Sequence, residues 1–202
     1  MDRRDVLVRT AALGTAAWIA PSVLTLDRVA AATGSCVAET PTVSNGAVLI
    51  SPPATNVEGT APLDSNSNTF VWLEQDGCIL DNDLMVNRVT AGTFGGTSDE
   101  NATIPAGTQF ASFFIHGDRL DDSGILTGSL MFASSQIIGL IYRTADLNAT
   151  SFLQAPGTTY AYGGMEGNDD MGLDLTPGAN QLRWSMRFGP HLDQIRVIVS
   201  CD

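Results

Sequence analysis

The sequence predicts an all-β protein, an antiparallel β-sandwich with jelly-roll-like connections. Short segments of alternating or continuous apolar residues recur along the chain, and residues that favour turns separate them. The 202 residues include 20 Gly and 9 Pro, which is typical of many turns between short strands. The sequence contains no long amphipathic helix and no internal repeat, so helical bundles and solenoids are excluded.

The predicted strands are rich in β-branched and aromatic residues. They lie at residues 47–50, 69–74, 78–80, 84–90, 92–94, 109–116, 126–132, 136–142, 181–188 and 194–200. Polar and Gly-rich stretches predict a long loop at 51–68, a turn at 75–77 and an acidic loop at 163–172. Residues 144–154 break the β pattern, and Thr144 is a suitable N-cap, so one or two short helical turns are expected there.

Three of these strands carry more specific predictions. Residues 126–132 are expected to pair with residues 109–116. The nearly continuous apolar run at 136–142 predicts a central strand buried on both faces. In 181–188, alternation places Leu182, Trp184 and Met186 on one face and Arg183 on the other.

Charge excludes two classes of partner. The chain has 10 basic residues, all of them Arg, and 22 acidic residues, for a formal net charge of −12. Nucleic acids and anionic membrane surfaces are bound by basic footprints, which this composition lacks. Without residues 1–32 the chain keeps 6 Arg and 19 acidic residues, a formal charge of −13. Such a surface favours solubility outside the cell and attracts cations.

The first 32 residues have the pattern of an export signal. Arg3 and Arg4 stand in a charged start, an apolar stretch follows, and Ala30 and Ala32 fit a cleavage site. The adjacent arginines resemble a twin-arginine signal, with the general secretory route as the alternative. A membrane-anchoring helix and a lipoprotein acylated at Cys36 are further alternatives. Residues 33–202 are expected to form one β-sandwich domain, with no membrane span in the mature chain.

Three cysteines lie in this domain, and export places them where disulfides form. Cys36 is near its start and Cys201 is the penultimate residue. Because the first and last strands of a sandwich are often neighbours, a disulfide between Cys36 and Cys201 is expected. A disulfide between Cys36 and Cys78 is the alternative.

Several short stretches between residues 70 and 199, about two thirds of the chain, resemble a known group of proteins. They are residues 73–77 (LEQDG), 104–108 (IPAGT), 113–118 (FFIHGD), 126–132 (LTGSLMF), 137–141 (IIGLI), 155–160 (APGTTY) and 192–197 (LDQIRV). In order and spacing they are similar to an uncharacterised family of exported bacterial β-sandwich proteins, many of which carry a PEP-CTERM surface-sorting tail. The resemblance implies a sandwich fold and a location outside the cell, and it brings no catalytic residues. The sequence 199–202 carries no sorting tail, which favours a freely secreted protein.

Two acidic loops are candidate calcium ligands. Calcium takes six to eight oxygen ligands from carboxylates, amides and loop carbonyls. Neither loop has the spacing of an EF-hand, and the alternative is that both are solvated turns. The candidate ligands are Asp118, Asp121 and Asp122 in one loop and Asn168, Asp169, Asp170 and Asp174 in the other.

Candidates for other sites are few. Trp72 and Trp184 lie in alternating strands and are expected in the core, whereas Tyr160 and Tyr162 precede a Gly-rich loop and are the better candidates for a sugar-binding platform. His116 stands close to Asp118 and could form a catalytic dyad, but a local hydrogen bond at a strand end is the expectation. His191 follows Gly-Pro and is interpreted as a turn residue.

These observations favour a secreted, non-enzymatic β-sandwich with a structural or interaction role outside the cell. The alternative is a calcium-assisted carbohydrate-binding module, and a hydrolase is the third hypothesis. No cofactor is required by any motif, although calcium is possible. An extracellular protein or a glycan is the expected kind of partner, and nothing in the sequence specifies the oligomeric state.

Overall fold

A computed structural model describes residues 37–54, 57, 63–95, 97–120, 123–160, 172–175, 180–188 and 192–201. The described residues form strands, one short helix, α1 (Thr144–Ala149), and a 3-10 turn (Ser151–Leu153). The strands are β1 (Thr42–Ser44), β2 (Ala47–Leu49), β3 (Thr69–Ile79), β4 (Leu84–Val86), β5 (Gly92–Gly95), β6 (Ala102–Ile104), β7 (Gln109–Gly117), β8 (Gly124–Met131), β9 (Ile137–Ile141), β10 (Gly172–Leu175), β11 (Gln181–Phe188) and β12 (Asp193–Ser200). The all-β prediction and the helical turns around 144–154 are confirmed.

Two five-stranded sheets form the sandwich. The front sheet has the order β1-β8-β11-β10-β5, and the back sheet has the order β2-β3-β7-β12-β9. Their neighbouring strands are antiparallel except for β2 and β3, which run parallel. β7 pairs with β12 in one sheet while β8 pairs with β11 in the other. This nested pairing of consecutive strands is what a jelly-roll connection produces.

The pairing predicted for residues 126–132 is wrong. β8 hydrogen-bonds to β1 and β11 in the front sheet, whereas β7 pairs with β3 and β12 in the back sheet. The chain crosses from one sheet to the other between these two strands. β7 and β8 therefore lie in opposite sheets instead of side by side.

The main core fills the space between the sheets. Leu182, Trp184 and Met186 of β11 point inward, as their alternation predicts, and each is at most 3% exposed. Gly128 of β8 lies opposite Trp184, and a Cβ built on Gly128 would lie 2.2 Å from the indole ring. The indole occupies the space that a side chain at position 128 would need.

A second core covers the outer face of the back sheet. Trp72, Phe114 and Ile198 point away from the first core and pack against residues outside the sheet, including Leu147 of α1 and Leu153 of the 3-10 turn. β7 and β12 are therefore buried on both faces, which explains their nearly continuous apolar sequences.

β9 has a different place from the one predicted. It is apolar and buried, but it lies at the end of the back sheet's strand order. The backbone of Asn87 and Arg88 hydrogen-bonds to Leu140 and shields that edge. The small β4-β6 sheet packs on it as well, since a Cβ on Gly139 would meet Ile104 and Val86. Residues 136–142 are therefore apolar because the small β4-β6 sheet buries them, and not because β9 lies at the centre of its sheet.

The turn predicted at 75–77 is part of β3. The strand continues through it with two register shifts against β7, between Leu73 and Gln75 and between Gln75 and Cys78. Gly77 takes a positive φ of 63°, a conformation that glycine adopts without steric cost. Turn-forming residues here make bulges that bend the strand without ending it.

Candidate functional site

Tyr160 is buried, so its predicted role in a sugar-binding platform is wrong. The side chain is 7% exposed, and its hydroxyl accepts a hydrogen bond of 2.7 Å from Trp72 Nε1. The ring meets Phe114 edge-on with centroids 4.7 Å apart. Burial, followed by the charge of Glu74, raises the pKa of Tyr160. Tyr162 lies outside the described residues.

The two tryptophans are core residues, as predicted. Trp72 is fully buried in the second core, and Trp184 is 3% exposed in the first. The Trp184 indole N–H donates to Thr69 Oγ1 at 3.2 Å. Each indole therefore satisfies its donor internally and offers no face for stacking on a ligand.

Asp118 has a neighbour that the sequence did not indicate. It follows β7, is half-buried, and shares a hydrogen bond with the Asp64 carboxyl, while its backbone carbonyl accepts from Ser65 N at 2.8 Å. Burial, together with the nearby charge of Asp64, raises the pKa of Asp118 to about 6. Two carboxyls that share a hydrogen bond are most stable when one proton is held between them.

The structure does not unite the predicted calcium ligands that it describes. Asp174 lies on β10 of the front sheet between the buried Leu173 and Leu175, so its side chain points away from the core, whereas Asp118 follows a strand of the back sheet. Asp118 and Asp174 therefore belong to different sheets, and calcium binding by either stays a prediction. Within the described ranges, no group of three or more His, Cys, Asp or Glu could hold a metal. Asp121, Asp122, Asn168, Asp169 and Asp170 lie outside these ranges, so calcium binding by them stays a prediction.

His116 makes a local contact. Its side chain is fully buried, and Nδ1 lies 3.2 Å from the Gln194 amide nitrogen, which donates to it. Burial lowers the pKa of His116 to about 3. Since no hydrogen bond joins His116 to Asp118 in the described chain, the hydrolase dyad is not formed. His191 lies outside the described residues.

Cys78 is a free, buried thiol. Burial, together with the charge of Asp76, raises its pKa, which makes the thiol unreactive. The alternative pairing of Cys36 with Cys78 is therefore wrong. Cys36 lies outside the described residues, so its disulfide with Cys201 stays a prediction.

A buried ion pair in the second core went unpredicted. Arg196 of β12 donates to both carboxylate oxygens of Glu74 on β3, from Nε at 2.6 Å and from Nη2 at 2.9 Å. Both side chains are 0% exposed. Arg196 Nη1 also donates to the Thr150 hydroxyl at 2.6 Å and to its carbonyl at 3.0 Å.

This ion pair tethers the residues after α1 to the back sheet. Thr150 is the C-cap of α1, and a cation is favourable beside the carbonyls at a helix C-terminus. Ser112 of β7 adds a weak hydrogen bond to Glu74 at 3.4 Å. Neither charged group is accessible to solvent, so the arrangement positions the second core and offers no place for a substrate.

The accessible polar surface is the outer side of the front sheet, which we call the front face. Strand alternation opposite the buried core residues points its side chains outward. It includes Thr42 and Ser44 of β1, Ile125, Thr127 and Met131 of β8, Arg183, Ser185 and Arg187 of β11, Asp174 of β10 and Thr93 of β5. Ser129 of β8 has the same direction but is buried, and its hydroxyl is hydrogen-bonded to Ser44 at 2.7 Å.

Arg183 and Arg187 are the unpaired cations of the front face. Both are exposed, and in the described residues neither forms an ion pair. The arginines elsewhere have partners: Arg88 pairs with Glu100 at 3.5 Å and Arg143 with Asp99 at 3.2 Å. The front face therefore presents guanidinium groups to solvent in an otherwise acidic protein.

No family model matches this chain, and no match was found among curated proteins or among solved structures.

The described residues contain no helix that is long and apolar enough to cross a membrane.

Proposed function

We propose that this protein is exported and acts outside the cell as a non-enzymatic interaction domain that binds its partner through the front face. One observation carries the proposal: the two sheets differ in their cover. The back sheet is packed on both faces, whereas the front sheet is packed on its inner face and has exposed residues on its outer face. A sheet face that is open and polar is available to a partner at no cost in core stability.

The chemistry of the buried groups supports a non-enzymatic role. His116 is fully buried, and the ion pair of Glu74 and Arg196 is closed to solvent. Catalytic groups must reach a substrate, and these cannot. The sequence of residues 1–32 supports export, and a disulfide between Cys36 and Cys201 belongs to the same proposal because such bonds persist outside the cell.

The test measures retention of the purified, exported protein on intact cells of the source organism. Ser185→Glu places a carboxylate between Arg183 and Arg187, where it halves their net positive charge and competes with a ligand for both guanidinium groups. The control is Thr103→Glu, which adds the same charge at an exposed position of β6 in the small sheet.

We expect Ser185→Glu to reduce retention at least tenfold and Thr103→Glu to leave it within twofold. Equal retention of the two variants, or no retention of the unaltered protein, would overturn the proposal. The fraction of the chain in the medium, measured with and without Arg3→Lys and Arg4→Lys, tests export by the twin-arginine route.

A further inference from the structure

The two front-face arginines have a defined spacing. Arg183 and Arg187 are four residues apart on β11, so both point to the same side. At about 3.3 Å of rise per residue, their Cα atoms lie about 13 Å apart. Ser185 is between them, and the exposed Thr127 of β8 lies beside it, since the two pair in register.

The surroundings of the two arginines differ. Arg183 lies directly opposite Asp174 of β10, although no ion pair joins them, and Asp174 accepts a hydrogen bond of 3.2 Å from Thr93. Arg187 pairs in register with Ile125, which has no charge. Among the described residues, which reach Gly172 opposite Ser185 on the β10 side, a ligand anion meets competition from Asp174 at Arg183 and from no charged neighbour at Arg187. Arg187 is therefore expected to contribute more to binding.

The composition of the front face favours a polar, extended ligand over a protein. Protein interfaces have aromatic or apolar anchors at the centre and polar residues at the rim. The front face has the opposite arrangement, because its exposed apolar residues, Ile125 and Met131, lie on β8 while hydroxyl groups and arginines occupy β11. Serine and threonine hydroxyls exchange hydrogen bonds with a ligand that is rich in hydroxyl groups.

The arginines also select among polar polymers. A neutral glycan is bound mainly by stacking on exposed aromatic rings, and the described front-face residues include no aromatic side chain. A guanidinium group instead forms paired hydrogen bonds with a carboxylate, which match its planar fork. The formal charge of −13 on residues 33–202 repels polyanions at long range, so recognition depends on these local contacts.

We propose that the front face binds a carboxylated polysaccharide, with Arg187 and Arg183 each holding a carboxylate of the extended polymer. This inference rests on the proposed function, because it names the chemistry of the partner at the same face. The hydroxyl side chains between and beside the arginines bind the sugar hydroxyls. Such a ligand is an acidic component of a capsule, a matrix or a cell wall.

The test measures binding of the exported protein to polygalacturonate oligosaccharides by calorimetry, in a buffer with EDTA so that calcium cannot bridge the carboxylates. Fully methyl-esterified oligosaccharides are the matched neutral ligand, and dextran sulfate is the non-carboxylate polyanion. The protein variants are Arg187→Gln and Arg183→Gln. Arg143→Gln is the control, because it removes the same charge from a partly exposed side chain outside the front face.

We expect Arg187→Gln to weaken binding at least tenfold, Arg183→Gln three- to tenfold and Arg143→Gln less than twofold. The methyl esters and dextran sulfate are expected to bind at least tenfold more weakly than polygalacturonate. Absence of binding, equal binding of the methyl ester or of dextran sulfate, or an equal loss with Arg143→Gln would overturn the proposal. Melting curves of the variants show that each remains folded.

Three combinations of results show whether this proposal, the proposed function or both fail. If Ser185→Glu abolishes retention on cells while polygalacturonate does not bind, the front face remains the binding surface and the carboxylated polysaccharide is the wrong partner. If Arg187→Gln alters the sedimentation coefficient of the protein without affecting polygalacturonate binding, the face is a contact between copies of the chain. If neither cells nor polymer bind, both proposals fail.

Discussion

Replacing one partner of the buried ion pair tests how the second core is held on the back sheet. Arg196→Met leaves the Glu74 carboxylate buried with a single weak hydrogen bond from Ser112 at 3.4 Å. It also removes the hydrogen bond of 3.0 Å from Arg196 to the Thr150 carbonyl, which then keeps only the backbone bond of 3.0 Å from Leu153 N. Glu74→Leu removes the opposite charge and leaves the guanidinium buried without a counterion. Removing one partner of a buried pair costs about 3–5 kcal/mol, and we expect each single variant to lose that much.

The double variant Glu74→Leu with Arg196→Met removes both charges and leaves apolar side chains of similar size. Replacing a complete buried pair by apolar residues is often nearly neutral. Here the Thr150 carbonyl and hydroxyl still lose their hydrogen bonds from Arg196, at a net cost of about 0.5–1.5 kcal/mol each, while the carbonyl keeps its bond from Leu153 N. The double variant is therefore expected to be more stable than either single variant, with a coupling free energy of at least about 3 kcal/mol between the two sites.

Urea unfolding followed by tryptophan fluorescence measures these free energies. The urea midpoint is expected to fall in the single variants and to recover in the double variant while the slope stays constant. Since a loss of about 5 kcal/mol can unfold a domain of ordinary stability, sucrose is added to keep the single variants folded. Arg143→Met is the control, because its ion pair is partly exposed and should contribute about 1 kcal/mol or less. Additive losses, with coupling below about 0.5 kcal/mol, would refute the reasoning.

Three other predictions follow from single positions. Because the folded-state pKa of Asp118 is raised from 3.8 to about 6, its stabilising contribution is complete below pH 3.8 and is lost as the pH rises through 6. The melting temperature of the unaltered protein relative to Asp118→Asn should therefore fall between pH 4 and pH 7, and a constant difference would contradict this. Gly128→Ala should lower the free energy of unfolding by about 2 kcal/mol or more, because the added methyl group clashes with the Trp184 indole ring. The control is Gly172→Ala, whose Cβ would lie 3.7 Å from the nearest atom, and this variant should unfold at nearly the same urea concentration as the unaltered protein. Cys78 should resist iodoacetamide until the protein unfolds, and mass mapping of unreduced peptides should find the disulfide between the other two cysteines; a disulfide that includes Cys78 would contradict this.

Local sequence signals predicted the elements of this fold but did not determine which strands pair. The alternation of apolar and polar residues in 181–188 is a local pattern, and so are the turn-forming residues between strands. For that reason most strands and the inward face of β11 were predictable. Pairing depends on contacts between distant segments, and the prediction placed β8 beside β7 instead of in the opposite sheet. β6 and β10 were missed, and so was β1, although Asn45 and Gly46, both with positive φ, form the kind of turn that marks a chain reversal.

The candidate site was predicted less well than the fold, for a physical reason. Tyr160 precedes a Gly-rich loop, and proximity to a loop favours exposure, but contacts with Trp72 and Phe114 from distant strands bury it. Glu74 and Arg196 each interrupt an apolar strand, and this interruption could have indicated the buried ion pair. Opposite charges at two such positions indicate a buried pair, because an isolated charge in an apolar strand is too costly to bury.

The buried pair also bears on where function can lie. Apolar residues could hold the second core as tightly as Glu74 and Arg196 do, so stability alone does not require the charges. The guanidinium does, however, demand its hydrogen bonds to Thr150, and these allow one position of the segment after α1 on the back sheet. A shifted segment would leave buried charges without partners. Side chains on the back sheet are thus constrained by packing and by charge, whereas Arg183, Ser185 and Arg187 are constrained by neither. Substitutions at these three positions should change binding while leaving the unfolding free energy nearly constant, and this separation distinguishes a binding face from a structural one.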